Sequence, residues 1–131
     1  MSATYGKTIT EADIVMFAGV SGDTNPVHLD EEFAAESMFE GRIAHGMLVS
    51  SLISTVLGTR LPGPGCIYVS QTLKFMAPVR SGDTVKAKIT LSEVDKERRR
   101  VTAETVCTVG GRPVLTGEAK LVVPTRAQAA A

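Results

Sequence analysis

The chain has 131 residues, and its 14 basic and 14 acidic residues give a formal net charge of zero. This length fits a single domain, residues 1–131, and the balanced charge argues against nucleic acid or an anionic membrane as a partner. Residues 46–57, the longest mostly apolar stretch, are too few to span a bilayer, and the N-terminus lacks the basic segment and apolar core of a secretory signal. We therefore expect a cytoplasmic protein in which Cys66 and Cys107 are buried, unpaired thiols.

The N-terminal segment predicts a strand followed by a helix. Residues 5–9 have the composition of a short edge strand. Thr10 and Asp13 then match the Ser/Thr-x-x-acid pattern with which helices begin, and apolar residues continue to Val20. We expect the first helix to end near that residue.

A loop is predicted at residues 21–30. Asn25 precedes Pro26, which disfavours the α conformation at Asn25 and prevents a helix from running through it. Asp30 then serves as an N-terminal cap for a short helix over residues 31–37. The first turn of that helix is acidic, as the helix dipole prefers.

One long helix is predicted at residues 45–58. Its apolar residues fall on more than one face and only small residues separate them, which indicates a helix that is buried nearly all round. Gly58, with Pro62 shortly after it, is a typical C-terminal stop. The apolar residues are Met47, Leu48, Val49, Leu52, Ile53, Val56 and Leu57.

From Cys66 onward the hydrophobic period changes to two, which is typical of half-buried strands. The alternation is clearest at residues 85–92, where Val, Ala, Ile and Leu alternate with Lys, Thr and Ser. Further sets of alternating apolar residues follow at residues 101–109 and 115–123. We expect all three segments to be antiparallel neighbours.

Short polar or glycine-rich segments separate these strands. Residues 96–100 predict a solvated hairpin turn, and residues 110–111, both glycine, predict a tight one. Residues 128–131 have no strand pattern and predict a frayed tail. A buried helix followed by antiparallel strands predicts an α+β domain in which a sheet curls around the helix, although periodicity alone leaves other α+β layers open.

The 21–30 loop also carries reactive side chains. Asp23 and His28 are five residues apart and can converge on one water molecule, a combination typical of general acid–base catalysis. The alternative is that Asp23 only accepts backbone hydrogen bonds within the turn and that His28 faces solvent. A metal site built from these two residues and Asp30 is disfavoured, because no further ligand set with metal spacing follows.

Residues 17–30, with the sequence FAGVSGDTNPVHLD, resemble the hydratase-2 signature of MaoC-like (R)-specific enoyl-CoA hydratases. Three later stretches are similar to the same family and follow in the same order: residues 43–47 (IAHGM), 61–65 (LPGPG) and 75–83 (FMAPVRSGD). The resemblance covers most of the chain and is nearest to the short single-domain hydratases that supply polyhydroxyalkanoate monomers from fatty acid metabolism. It implies the hot-dog fold, an antiparallel β-sheet wrapped around a long buried helix.

The resemblance also implies a reaction. A lyase of this family catalyses the reversible syn hydration of a trans-2-enoyl-CoA to the (R)-3-hydroxyacyl-CoA. Asp23 and His28 match the catalytic pair that holds the water, and which of them is the base is left open. Asn25 is expected to shape the loop, and no metal or redox cofactor is implied, because coenzyme A is part of the substrate.

The start of the long helix supplies the remaining catalytic group. Gly46 lies where backbone N–H groups are unpaired, so we expect its amide to stabilise the enolate oxygen, or else the glycine serves only close packing. His45 is expected to be structural rather than a second base. The resemblance puts Ser54 beside the active site and Leu57 at the floor of the acyl pocket, which predicts short-chain substrates, while the alternative for both is core packing.

Two other function classes remain open. A hot-dog acyl-CoA thioesterase would share the fold and the ligand but would lack this loop, and a non-catalytic acyl-thioester binding module could keep the loop without turnover. Arg42, Lys74 and Arg80 are nominated for the coenzyme A phosphates by charge alone. We also expect a homodimer, because one curled sheet leaves an open edge and the family pairs edge to edge with the active site at the interface.

Overall fold

The computed structural model describes residues 1–125, so the tail predicted at residues 128–131 lies outside the described residues. In chain order the elements are β1 (Ser2–Thr8), α1 (Glu11–Ser21), α2 (Pro26–Leu29), α3 (Glu31–Ala35), α4 (Gly46–Thr59), β2 (Ile67–Gln71), β3 (Lys74–Phe75), β4 (Thr84–Asp95), β5 (Arg100–Val109) and β6 (Arg112–Val122).

The strands form one antiparallel sheet with the order β1-β4-β5-β6-β2, and β3 pairs with β6 off this path. Alternate residues of the long strands are buried on one face, which confirms the predicted period of two. These inward residues are Val85, Ala87 and Ile89 of β4, Val101, Ala103, Thr105 and Cys107 of β5, and Leu115, Ala119 and Leu121 of β6. The sheet with its helices confirms the predicted α+β class.

Helix α4 packs against the inner face of this sheet. It runs from Gly46 to Thr59, one residue later at each end than predicted. Its buried residues are Val49, Leu52, Ile53, Val56 and Leu57, and they join the inward strand residues in one hydrophobic core. One stripe of the helix nevertheless lies at the surface of the single chain; its residues are Met47, Ser51, Ser54 and Gly58.

The predicted start of α1 is confirmed. Asp13 N–H donates to Thr10 Oγ1 at 3.1 Å, and Thr10 N–H donates to Asp13 Oδ2 at 2.9 Å, which completes a capping box. Lys7 Nζ lies 2.9 Å from the same carboxylate, and this contact, with the Thr10 bonds, lowers the pKa of Asp13. The helix ends where Gly22 adopts a positive φ of 78°.

The prediction of a continuous loop over residues 21–30 is wrong in its second half. Asn25 stays outside the helical conformation, as expected before proline, but its Oδ1 accepts the N–H of Val27 and caps the single-turn helix α2. Pro26 occupies the first helical position, where its missing N–H costs nothing. The predicted Asp30 cap of α3 is confirmed, although α3 ends at Ala35.

Glycine permits a close approach between β6 and the segment before β3. A Cβ on Gly117 would lie 1.8 Å from the carbonyl oxygen of Thr72, so only glycine lets the segment before β3 cross β6 there.

Both predicted hairpins are confirmed, with Arg99 at φ 56° in the first and Gly110 and Gly111 at φ 56° and 81° in the second. None of the helices within residues 1–125 has the length and hydropathy of a membrane-spanning segment.

Both cysteines are free thiols, but their environments differ. Cys107 is fully buried, and burial raises its pKa to about 11. Cys66 is only half-buried; burial also raises its pKa, and its Sγ lies 3.2 Å from the carbonyl oxygen of Leu57. The expectation of a buried thiol is therefore confirmed for Cys107 alone.

Candidate active site

Three segments that are separate in sequence converge on one cavity of about 510 Å³. The loop after α1 contributes Asp23, the single turn α2 contributes His28, and the start of α4 contributes His45 and Gly46. The cavity therefore brings together the acid, the histidine and the helix N-terminus that the sequence analysis singled out.

His28 is held in one orientation. Its side chain is buried, and its Nδ1 lies 2.8 Å from the carbonyl oxygen of Ile43. Since a carbonyl only accepts hydrogen bonds, Nδ1 carries the proton, and in the neutral ring Nε2 keeps a free lone pair. The backbone of Ile43 is itself fixed, because its N–H donates to the carbonyl oxygen of Val27 at 3.2 Å. His28 is thus a buried and positioned side chain, not a solvent-facing one.

Asp23 combines a fixed backbone with an exposed carboxylate. Its N–H donates to Ser21 Oγ at 3.1 Å, and its carbonyl oxygen lies 2.9 Å from His45 Nε2. The carboxylate accepts one local hydrogen bond, from the N–H of Asn25 at 3.2 Å. A carboxylate oxygen has several acceptor sites, so the side chain retains capacity to bind a water molecule.

Gly46 begins α4 with an amide that faces no internal partner. The carbonyl of His45, the N-cap residue, accepts the N–H groups of Leu48 and Val49, and its side chain makes no capping bond. Within residues 1–125 no hydrogen bond uses the Gly46 N–H. A Cβ at this position would lie 2.6 Å from Phe75 Cε1, so the ring of Phe75 packs where any other side chain would begin.

Apolar side chains form the rest of the cavity wall. They come from the segment before α4, from α4 itself, from β3 and the residues after it, and from β6. The larger apolar residues that line the cavity are Met38, Phe39, Val49, Phe75, Met76, Val79, Val114 and Leu115. Asp23, His28, His45 and Gly46 line the same cavity, and one side-chain oxygen or nitrogen from each of Asp23, His28 and His45 lies within 4.8 Å of the others. This arrangement suits a ligand with an apolar chain and one reactive polar head.

The site contains a contact between its two histidines that the sequence analysis missed. The rings of His28 and His45 stack with centroids 3.9 Å apart and an interplanar angle of 27°. Phe17 packs on His45 with centroids 4.8 Å apart. The only sequence signal was the position of His45 directly before Gly46, and nothing in the spacing of residues 28 and 45 predicts that the rings meet.

Asp23, His28 and His45 each offer one metal-ligating atom, and these atoms lie within 4.8 Å of one another. Carboxylate oxygen and imidazole nitrogen are ligands of zinc and related ions. However, His45 Nε2 is bonded to a carbonyl, and His45 Nδ1 is buried without a hydrogen-bond partner among residues 1–125. Within this group of three, two residues, Asp23 and His28, are left to present ligands, which is fewer than the three protein ligands of a typical catalytic zinc site.

The structure does not bring Ser54 and Leu57 to the cavity wall of the single chain. Ser54 lies on the exposed stripe of α4, and Leu57 is 1% exposed within the hydrophobic core. Their assignment to an acyl pocket therefore stays a prediction. Asn25 precedes α2, where its side-chain Oδ1 caps the helix by accepting the N–H of Val27, and its backbone N–H donates to Asp23 Oδ1.

Two of the three cations nominated for phosphate binding are engaged by the protein. Arg42 donates to the carbonyl of His28 at 2.7 Å and pairs with Glu11, and Arg80 donates to the carbonyls of Arg42 and Phe39. These guanidinium groups join the segments around the cavity. Lys74 on β3 is exposed and remains a candidate for the phosphates.

Comparison with known proteins decides the family. The MaoC like domain matches residues 1–110 of the chain. A curated (R)-specific enoyl-CoA hydratase from Rhodospirillum rubrum is 57% identical over 125 residues, which cover 95% of this chain and 87% of that protein. The chain belongs to the MaoC-like family.

Two further MaoC-like relatives support the same conclusion. A 3-hydroxybutyryl-CoA dehydratase from Methylorubrum extorquens is 53% identical over 94% of this chain and 78% of that protein. The solved structure of an (R)-hydratase from Aeromonas caviae involved in PHA biosynthesis has a TM-score of 0.91 at 41% identity, covering 95% of each chain. The MaoC-like chain has the hot-dog fold that the family resemblance implied.

Proposed function

We propose that this MaoC-like chain catalyses the reversible syn hydration of trans-2-enoyl-CoA thioesters to (R)-3-hydroxyacyl-CoA. Asp23 and His28 hold the attacking water, and the Gly46 N–H stabilises the enolate oxygen. The observation that carries the proposal is that this acid, this histidine and a helix N-terminal amide with no hydrogen-bond partner among residues 1–125 line one largely apolar cavity. The 57% identity to an (R)-specific enoyl-CoA hydratase supports the same reaction.

The proposed steps balance without any group beyond these residues and water. The water oxygen forms a bond to C3 as the water loses one proton, and the electron pair of the double bond moves onto the thioester oxygen as an enolate. The enolate then collapses as C2 takes up a proton on the same face. Coenzyme A enters only as part of the substrate.

The two side chains have different capacities for this proton transfer. His28 offers a lone pair at Nε2, since its Nδ1 is committed to the carbonyl of Ile43. Asp23 offers an exposed carboxylate. A carboxylate oxygen of Asp23 and a ring nitrogen of His28 lie within 4.8 Å of each other, a spacing that one water can bridge, and we leave open which of them removes the proton and which returns it to C2.

The Gly46 amide is suited to the developing negative charge. It is the first N–H of α4, where the helix dipole favours an anion. Loss of one such donor typically costs about 3–4 kcal/mol in the transition state. The glycine also leaves room for the Phe75 ring, so the packing alternative raised from the sequence applies together with the catalytic one.

Incubation with crotonyl-CoA tests the proposal against its alternatives. Hydration removes the conjugated double bond, so the absorbance of the enoyl thioester should fall without release of free thiol. Thiol release at the rate of the absorbance change would instead indicate a thioesterase. Binding with neither signal would indicate an acyl-thioester binding module, and either of these results would contradict the proposal.

We also propose that the chain functions as a homodimer. β2 is the last strand in the sheet order, and its residues Ile67 and Val69 are 61% and 53% exposed. The exposed stripe of α4 is a second surface that a partner could cover. An edge-to-edge pair covering both surfaces would bury more than about 1,600 Å² in total. Sedimentation at assay concentrations should give a dimer, and a fully active monomer would refute it.

The acyl chain length and the cellular role are further parts of the proposal. A Leu57 floor would restrict the enzyme to chains of about four to six carbons, since each further methylene would lose its share of burial, about 0.8 kcal/mol. A cytoplasmic location and the supply of polyhydroxyalkanoate monomers stay predictions. Steady-state hydration of crotonyl-CoA and octenoyl-CoA compares the two chain lengths directly.

A further inference from the structure

We infer that His45 is a positioning residue of the proposed hydration site, one that holds Asp23 and His28 in register with the Gly46 amide. The inference rests on the proposed function and extends it to a residue that does not touch the reacting atoms. His45 contacts each of the three catalytic parts: it bonds the backbone of Asp23, stacks on the ring of His28 and directly precedes Gly46.

The first contact fixes the tautomer of His45. Its Nε2 lies 2.9 Å from the carbonyl oxygen of Asp23, and a carbonyl oxygen can only accept, so Nε2 carries the proton. The other nitrogen, Nδ1, is buried and has no hydrogen-bond partner among the described residues. A neutral ring with its lone pair at Nδ1 accounts for both observations. His45 therefore acts as a hydrogen-bond donor to the catalytic loop.

The second contact clamps the ring between two elements. One face stacks on His28 of α2 at 3.9 Å between centroids, and Phe17 of α1 packs against the ring at 4.8 Å. The His45 ring is 1% exposed. The His28 ring is therefore held by two contacts. Its Nδ1 is bonded to the carbonyl oxygen of Ile43, and its face stacks on His45, which together fix the position of His28 Nε2.

The third contact concerns the helix end. A residue at the N-cap usually bonds its own side chain to the N–H groups of the first turn, and Ser, Thr, Asp or Asn performs that role. His45 does not, because its side chain reaches back to Asp23. The N-terminal amides of α4 are thereby left without a side-chain acceptor, and the Gly46 N–H stays available to a ligand oxygen. Displacement of His45 would move all three parts relative to one another, and errors of about 1 Å in such geometry cost about 10²-fold in rate.

Two substitutions test separately the hydrogen bond that His45 donates and the aromatic ring that it stacks on His28. His45→Phe keeps an aromatic ring for the stack but cannot donate to Asp23, whereas His45→Gln can donate from its amide but lacks the ring. We expect His45→Phe to lower kcat by about 10- to 100-fold with KM changed less than about threefold. His45→Gln should recover kcat to within about fivefold of wild type.

Val56→Ala is the matched control, because Val56 is fully buried on the same helix and does not line the cavity. It should lower the melting temperature and leave kcat within about twofold of wild type. A wild-type kcat in folded His45→Phe would overturn the inference. Equal losses in the Phe and Gln variants would overturn the role of the donated hydrogen bond.

A double-mutant cycle tests whether His45 acts through Asp23. In an Asp23→Asn background, His45→Phe should lower kcat by a smaller factor than in the wild-type background, because the part of its effect that acts through the Asp23 carboxylate is already absent while its effects on His28 and Gly46 remain. A loss as large as in the wild-type background would contradict the inference.

The nitrogen chemical shifts of wild-type His45 supply a test that needs neither activity nor a variant. The expected result is a protonated Nε2 and an unprotonated Nδ1, and the opposite tautomer would overturn the inference. If wild-type protein fails to hydrate crotonyl-CoA, the proposed function fails while the tautomer still tests the geometry. If wild-type protein hydrates and His45→Phe does so equally well, only the positioning role fails.

Discussion

The two ends of helix α4 have different surroundings: polar groups of the candidate site surround its N-terminal end, and the hydrophobic core surrounds its C-terminal end. At the N-terminal end, Gly46 has an unpaired amide, and the polar side chains around it are held by backbone carbonyls. At the C-terminal end, Ile53, Val56 and Leu57 are at most 1% exposed and belong to the core against the sheet. The residues at the first end have the proposed catalytic roles, whereas those at the second fill the hydrophobic core. Activity and stability should therefore separate along this one helix.

The largest effect is expected where the reactive side chains are removed without loss of volume. Asp23→Asn and His28→Gln should each lower kcat by about 10²-fold or more, the usual scale for loss of general acid–base catalysis, with little change in KM. Thermal unfolding of Asp23→Asn should match wild type, because its side chain is exposed. Either variant retaining most of the wild-type turnover while folded would remove that residue from the catalytic pair.

A smaller loss is expected when a methyl group is added at the N-terminal end. In Gly46→Ala the new Cβ would meet the Phe75 ring at 2.6 Å, so either the ring or the helix end must move. We expect kcat/KM to fall about tenfold, less than the full value of an oxyanion donor, and a second substitution, Phe75→Ala, to restore part of it.

The control for this change is Gly19→Ala on α1. A Cβ there has no atom within 4 Å, so activity should be unchanged and stability should rise by up to about 1 kcal/mol from helix propensity. Full kcat/KM in Gly46→Ala would show that an added methyl group does not restrict the approach to this amide, and would contradict the requirement for glycine at this position.

At the C-terminal end of α4, substitutions should lower stability more than activity. Leu57→Ala should lower the free energy of unfolding by about 2–5 kcal/mol while kcat for crotonyl-CoA stays near wild type. The proposed acyl floor further predicts that kcat/KM for octenoyl-CoA rises relative to crotonyl-CoA. Val56→Ala should destabilise the protein without changing this ratio. An unchanged ratio in folded, dimeric Leu57→Ala would mean that Leu57 is core alone.

The smallest effect is expected at Cys107, which belongs entirely to the packed region. Burial raises its pKa to about 11 from an ordinary 9.0, so the neutral thiol is favoured in the folded state. The stability it contributes is complete below about pH 9 and is lost as the pH rises towards 11. Alkylation at pH 8 should modify half-buried Cys66 before Cys107 and leave activity intact until the protein unfolds. Rapid modification of Cys107 in the native protein would contradict this.

The same contrast explains how far the sequence could predict the fold. Period-two alternation located β4, β5 and β6, and the apolar run located α4 to within one residue, because burial against a sheet imposes regular patterns. The four-residue helix α2 was missed, since a single turn is too short for periodicity and depends on the Asn25 cap. The exposed stripe of α4 was also missed, because apolar and small residues on a helix do not by themselves show whether this chain or a partner chain buries them.

Prediction of the site followed a similar division. Asp23, His28 and Gly46 were nominated from their residue types and from the family resemblance, and the fold brings all three to one cavity, while their catalytic roles stay predictions. The stack of His28 on His45 and the packing of Phe75 over Gly46 were not found. Both join residues from different elements, so they depend on tertiary packing. Arg42 and Arg80 were nominated by charge, but backbone carbonyls engage them.

The measurement that tests the central claim most directly is the stereochemistry of hydration in deuterium oxide. Crotonyl-CoA should give 3-hydroxybutyryl-CoA with the R configuration at C3 and one deuterium at C2 on the face that received the hydroxyl. This result follows if Asp23, His28 and one water act from the same side of a substrate whose thioester oxygen is held at Gly46. The S configuration, or deuterium distributed over both faces of C2, would contradict the account.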